Sequence, residues 1–149
     1  EFSKELLKVL DFYQVDLNWK QGRVGELSSP VLDKIIECAT PPEFPNGVPN
    51  IWSPEHLYAA AINSCFMATF LAISENFKID FENFDCKTEI KLELVERKFL
   101  ITEAHLYPKI KLKNSEQRDK VLRVIDKSKE NCLVTNSMKT EVIINPEIL

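Results

Sequence analysis

Four cysteines, two histidines and one arginine in a glycine turn are the residues of this 149-residue chain whose types suit chemistry. The cysteines stand at positions 38, 65, 86 and 132, with no C-x-x-C pair and no paired-ligand spacing toward His56 or His105, so no metal site is expected. Cys86 falls on the apolar face of an alternating segment and reads as a small buried hydrophobe. Cys38 sits at the end of a predicted strand beside a proline-rich loop, with nothing nearby in sequence to activate it. Cys65 lies midway along an apolar helix, where the helix dipole gives little help. Read alone it is a packing residue. To act as a nucleophile near neutral pH it must become a thiolate, which needs a cation from elsewhere in the fold. Arg23, in Gly22-Arg23-Val24-Gly25, is the candidate, because flanking glycines let an arginine approach another backbone closely. No glycine-rich phosphate loop and no serine–histidine triad motif is present.

The elements that must position these residues follow from periodicity. Phe12 to Trp19 alternates, with Tyr13, Val15, Leu17 and Trp19 on one side, which predicts a strand. Gly22 turns the chain into a second strand near Arg23, and a third is expected from Val31 to Glu37. Residues 40–50 hold four prolines and a glycine and are read as an irregular loop. Ser53 as N-cap, Pro54 at the first helical position and Glu55 in the first turn start a helix that runs to about Asn76. Its apolar residues go nearly all the way round, which predicts a central helix covered on most sides. Cys86 to Leu94 alternates as a strand, a charged turn at Glu96-Arg97-Lys98 follows, and the return strand is expected to run through Leu106 and break at Pro108, with Ile110 and Leu112 as candidates for a further piece. Ser115 is read as the cap of a second helix with Val121, Leu122, Val124 and Ile125 buried. Cys132 lies just past that helix, and Lys139 to Ile144 forms a last strand. Residues 1–10 are read as a short helix or an arm. The order of elements is α+β, with antiparallel sheet expected from the short connections.

The totals narrow the function classes. One domain spanning 1–149 is expected at this length. The net charge is −4, and nothing in the totals favours nucleic acid as a partner, because phosphate neutralisation needs a clustered positive surface. The apolar stretch Leu57 to Ile73 is shorter than the ~20 residues of a membrane span and contains Asn63, Ser64 and Thr69, so no membrane partner is expected. The first ten residues lack a basic start followed by an apolar run, so no secretory leader is expected in them. Sparse cysteines fit a cytoplasmic protein with reduced thiols, in which any disulfide is transient and catalytic.

The segment from Trp52 to Phe66, WSPEHLYAAAINSCF, resembles the signature helix of the OsmC/Ohr family, named for osmotically inducible protein C and the organic hydroperoxide resistance protein. Pro54-Glu55-His56-Leu57, the alanines at 59–61 and Cys65 ten residues after Glu55 follow the family pattern. Cys132, after the second long helix and before the last strand, matches the second family cysteine in context, and Gly22 to Gly25 matches an early Gly-Arg-x-Gly turn. The resemblance covers Phe12 to the C-terminus. It implies a two-layer α+β fold with sheets packed around a central cysteine-bearing helix, in an intertwined homodimer. It implies a thiol peroxidase without cofactor or metal, taking a hydroperoxide as substrate and an external dithiol as reductant. Cys65 is then the peroxidatic thiolate, Arg23 the group that stabilises it, Glu55 the carboxylate that holds Arg23, and Cys132 the resolving thiol.

Helix geometry constrains these implied roles. Ten residues are roughly 15 Å of rise and leave Glu55 and Cys65 about 80° apart around the axis. Glu55 therefore does not touch Cys65 of its own chain. It acts through the reach of Arg23 or from a second subunit. The apolar neighbours Ile62, Phe66, Ala68 and Thr69 favour an organic peroxide. Three features depart from the Ohr branch: Val24 in place of Asp after the arginine, Leu133-Val134 in place of Pro-Tyr after Cys132, and a longer proline-rich loop. They bring the chain closer to an OsmC-like branch. Two rival readings use the same scaffold: a non-catalytic protein that binds a hydrophobic ligand, and a redox sensor.

Overall fold

A computed structural model describes residues 10–149. The reading of residues 1–10 as an arm falls on residues 1–9, outside those described, and on Leu10, which has no regular structure. The described chain falls into two compact units, one up to Pro54 and one spanning Glu55–Leu149.

The N-terminal unit is a three-stranded antiparallel sheet of β1 (Asp16–Gln21), β2 (Val24–Ser29) and β3 (Leu32–Ala39), in that order. Gly22 and Arg23 form the two-residue turn between Gln21 and Val24, which pair directly. Gly22 takes φ +52°, the left-handed value that such hairpin turns need at their first position. The Trp19 indole N–H donates to the Gly22 carbonyl at 3.0 Å and closes the turn. Gly25 pairs with Trp19 on one side and Cys38 on the other. A Cβ there would stand 2.9 Å from Leu17 Cδ1 and 3.2 Å from the Asn18 carbonyl, so only glycine fits without a shift. The first strand starts at Asp16, not Phe12, and all of it is exposed. Alternation there marks an apolar face that is exposed among the described residues. The 40–50 loop is irregular as expected, and an Ala39 N–H to Trp52 carbonyl bond of 2.8 Å follows its return.

The C-terminal unit packs two helices on a second sheet. Helix α1 (Pro54–Asn76) precedes β4 (Phe81–Val95) and β5 (Lys98–Leu112), which form one long antiparallel hairpin. A single 3-10 turn, Ser115–Gln117, leads into α2 (Arg118–Asn131). The short α3 (Leu133–Asn136), β6 (Glu141–Ile144) and β7 (Glu147–Ile148) complete the unit. The core is contributed by Ile62, Phe66 and Phe70 of α1, by Val121, Val124 and Ile125 of α2, and by Ala104, Leu106, Ile110 and Leu112 of β5. The β5 residues alternate with outward partners at period two, as a strand with one covered face must. Phe66, Phe70 and Phe84 stack at centroid distances of 4.8–6.4 Å, within the range of favourable aromatic pairs.

Five expectations are corrected. β6 and β7 pair with β5 in parallel, not antiparallel. The chain returns to β5 by way of α2, and such a helical crossover delivers a parallel strand. β5 does not stop at Pro108, which sits opposite Cys86. Leu106 and Ile110 accept bonds from Asn145 and Leu149 on the β6–β7 side. Pro108 has the same parity, so its missing N–H faces the gap between the two short strands and removes no ladder bond there. The cap before α2 is Asn114, whose side chain accepts from the Glu116 N–H, because the chain first makes the 3-10 turn. At 23 residues α1 is long and apolar enough to cross a membrane by length and composition, because the helix extends beyond Leu57–Ile73 at both ends. Finally, α1 is not covered on most sides. Only Ile62, Phe66, Phe70 and Ser74 are buried, a single stripe at intervals of four, while Met67 and Leu71 are exposed. The stripe packs on the core of its own unit.

Candidate active site

Helix α1 presents Cys65 one residue before the buried Phe66, so its thiol stands at the edge of the covered stripe and is half-buried. α2 ends at Asn131, and the extended backbone of Cys132 (φ −71°, ψ 107°) breaks the helix before α3 begins. That break turns Cys132 inward, where it is fully buried. The two thiols adjoin, and both are free. The Val134 N–H in the first turn of α3 donates to Cys65 Sγ at 3.5 Å. α3 is fastened in turn by the Asn136 N–H to the Cys132 carbonyl at 2.9 Å and by Asn136 Nδ2 to the Glu130 carbonyl at 2.9 Å.

The environments of the two sulfurs differ. Burial pushes the Cys132 thiol above its ordinary value, the hydroxyl and backbone amide of Thr135 pull it partly back, and the adjoining Cys65 adds to the rise. Cys132 is thus held as a neutral thiol. Cys65 is the more accessible sulfur and receives a backbone N–H.

The remaining sequence-predicted residues lie elsewhere. Glu55 is in the first turn of α1, about 15 Å of rise from Cys65. It borders a cavity of about 290 Å³ with His56, Thr88 and Glu89. Its Oε1 is buried and has no hydrogen-bond partner among the described residues. Arg23 belongs to the N-terminal unit, exposed on its hairpin turn. With Trp19, Gly25 and Cys38 it lines a mostly apolar cavity of about 280 Å³ within that unit. Cys86 packs against the core, and burial raises its thiol, offset in part by Thr88 and the Tyr107 backbone. His105 bonds Glu103 at 2.8 Å on β5. No cluster of three or more metal-ligating side chains occurs among the described residues.

Sequence reasoning did not find Val134 or Thr135. Val134 acts through its backbone, which no side-chain pattern reveals. Thr135 donates its hydroxyl to the Cys132 carbonyl at 3.2 Å, a detail with no motif to mark it.

With this geometry in hand, similarity to known proteins can be weighed. A family described as OsmC-like protein matches residues 47–147, more than half of the chain. The chain belongs to the OsmC-like family. The match takes in α1 with Cys65 and the α2–α3 junction with Cys132. No curated protein matches the sequence significantly. Among solved structures, an OsmC-like protein of unknown function from Vibrio cholerae superposes with a TM-score of 0.83 at 20% identity, covering 92% of this chain and 99% of that one. An organic hydroperoxide resistance protein OsmC from Legionella pneumophila gives 0.71 at 20% identity, covering 95% and 98%. An OsmC-like protein from Mycoplasma pneumoniae gives 0.76 at 15% identity, covering 93% and 98%. At these identities the likeness establishes the OsmC-like α+β fold, and the chemistry is argued from this chain's own residues.

Proposed function

We propose that this OsmC-like protein is a thiol-dependent peroxidase that reduces hydroperoxides, organic ones by preference, in a reducing compartment such as the cytoplasm. The observation that carries this reading is the adjacency of a half-buried Cys65 and a fully buried Cys132 in different elements of one unit.

The Cys65 thiolate attacks one peroxide oxygen. The O–O bond breaks, the oxygen retained by the leaving group takes up a proton to form an alcohol, and Cys65 becomes a sulfenic acid, oxidised by two electrons. The Cys132 thiol then displaces that hydroxyl. Water leaves and a Cys65–Cys132 disulfide forms. A dithiol from outside reduces it by exchange and is itself converted to a disulfide. In this scheme the Val134 N–H and the Arg23 guanidinium stabilise the Cys65 thiolate, and Glu55 fixes the guanidinium by a carboxylate pair. The unpartnered, buried Glu55 Oε1 fits a carboxylate that awaits such a cation. A homodimer is part of the proposal, supported by the uncovered apolar residues of α1 and of β1, including Met67, Leu71, Leu17 and Trp19.

The test is to treat reduced protein with one equivalent of cumene hydroperoxide and to map its thiols by mass spectrometry. Loss of two hydrogens at Cys65 and Cys132 is expected. Unchanged thiols, or oxidation at Cys38 or Cys86 instead, removes the proposal. The apolar cavity beside Cys38 would then favour the non-catalytic ligand-binding reading. Steady turnover with a dithiol separates an enzyme from a redox sensor.

A further inference from the structure

Nothing covalent fixes the distance between Cys65 and Cys132. It depends on how the segment from Cys132 to Thr140 is docked along α1. One end of that segment is held by the Val134 N–H on Cys65 Sγ. The other end is held by Tyr58. Tyr58 precedes Cys65 by seven residues, two helical turns, so the two share a face of α1 about 10 Å apart along the axis. The Tyr58 Oη lies 2.6 Å from Thr140 Oγ1, and Thr140 Oγ1 donates to the Ile101 carbonyl of β5 at 2.8 Å.

The hydrogens of this chain can be assigned. The Thr140 hydroxyl has one, and it goes to the Ile101 carbonyl, which has none to give. Thr140 Oγ1 therefore accepts from Tyr58, and Met138 Sδ at 3.4 Å is a secondary acceptor of the same proton. Thr140 is buried and Tyr58 half-buried, so the pair is partly shielded from water. The result is a clamp that joins the cysteine helix, the far end of the resolving segment and the sheet.

We propose that Tyr58 and Thr140 are positioning residues for the resolving step. They hold the segment in register so that Cys132 meets the Cys65 sulfenic acid without local unfolding. Their hydrogen bonds run to one another, to Met138 Sδ and to the Ile101 carbonyl, and not to either cysteine, so the first step does not depend on them. The inference rests on the peroxidase reading above.

The experiment is rapid-mixing single turnover with limiting cumene hydroperoxide, following sulfenic acid with a trapping probe and disulfide by quenched mass spectrometry. Tyr58→Phe keeps the ring and removes the hydroxyl. It is expected to leave sulfenate formation unchanged and to slow disulfide formation by about 3- to 10-fold, the range of one lost hydrogen bond. Sulfinic acid at Cys65 should rise in excess peroxide. Thr140→Val should do the same, Thr140→Ser should restore the wild-type rate, and the Tyr58→Phe, Thr140→Val double variant should be no worse than either single one. Wild-type disulfide rates in both single variants would overturn the inference while leaving the peroxidase reading standing. A slowed first step in folded variants would also overturn it. If wild-type protein forms no sulfenic acid, the peroxidase reading itself fails and this inference falls with it.

Discussion

The amide of Val134 meets Cys65 Sγ at 3.5 Å across 69 positions of sequence. That contact brings the α2–α3 junction onto the cysteine helix and puts Cys132 beside Cys65. The two sulfurs differ in setting, one half-buried and receiving an N–H, the other buried and neutral.

Substitution of either sulfur should separate the two halves of the reaction. Cys65→Ser is expected to abolish peroxide consumption. Cys132→Ser should consume one equivalent of cumene hydroperoxide and then accumulate sulfinic and sulfonic acid at Cys65. Intact-mass spectra after graded peroxide additions give the answer. A Cys132→Ser protein that turns over like wild type would exclude Cys132 as the resolving thiol.

Arg23 and Glu55 should act on the first step. Arg23→Ala is expected to lower the second-order rate with cumene hydroperoxide by about 10²-fold, a typical loss for one preorganised donor. Arg23→Lys should recover little, because a point charge cannot both pair with Glu55 and direct an N–H at sulfur. Glu55→Gln should fall between wild type and Arg23→Ala. Stopped-flow peroxide kinetics on reduced protein measure all three.

Assembly should track the uncovered face of α1. Met67→Asp combined with Leu71→Asp puts charges on residues that are 44% and 41% exposed in one chain, so the subunit should still fold. Sedimentation velocity is expected to show a shift from dimer to monomer, with peroxidase activity falling in parallel. A monomer with full activity would exclude any need for a second subunit.

Burial of the thiols predicts a pH dependence of stability. Cys132 and Cys86 are both pushed above the ordinary thiol value of 9.0, chiefly by burial. The folded protein therefore keeps these protons to higher pH than the unfolded chain does. Their contribution is complete below the unfolded value and is lost as pH rises through the folded ones. Urea midpoints under reducing conditions should fall as pH rises past the ordinary thiol value of 9.0, and Cys86→Ala should flatten that fall. An unchanged slope in Cys86→Ala would show that Cys86 ionises alike in both states.

What the sequence disclosed was set by range. The start of α1 was legible because serine, proline and glutamate act within one turn. The β4–β5 hairpin was legible because alternation and a charged turn are local as well. Pro108 misled because a proline's cost depends on which neighbour its N–H would have faced, and β7 is supplied from the end of the chain. The continuous apolar surface of α1 announced burial without saying by what, and among the described residues only the stripe from Ile62 to Ser74 is buried. In the site, Cys65 and Cys132 could be named from a motif. Their adjacency, the Val134 amide and the Tyr58–Thr140 pair are tertiary facts that no spacing encodes.

The burial of Cys132 also has a consequence for the return half of the proposed cycle. A reductant arriving from solvent meets only the Cys65 side of the disulfide, so the mixed disulfide must form there and Cys132 must be the sulfur expelled. A thiol whose ionisation is disfavoured departs slowly. In the proposed cycle that departure would slow regeneration, and the disulfide would accumulate under sustained oxidant.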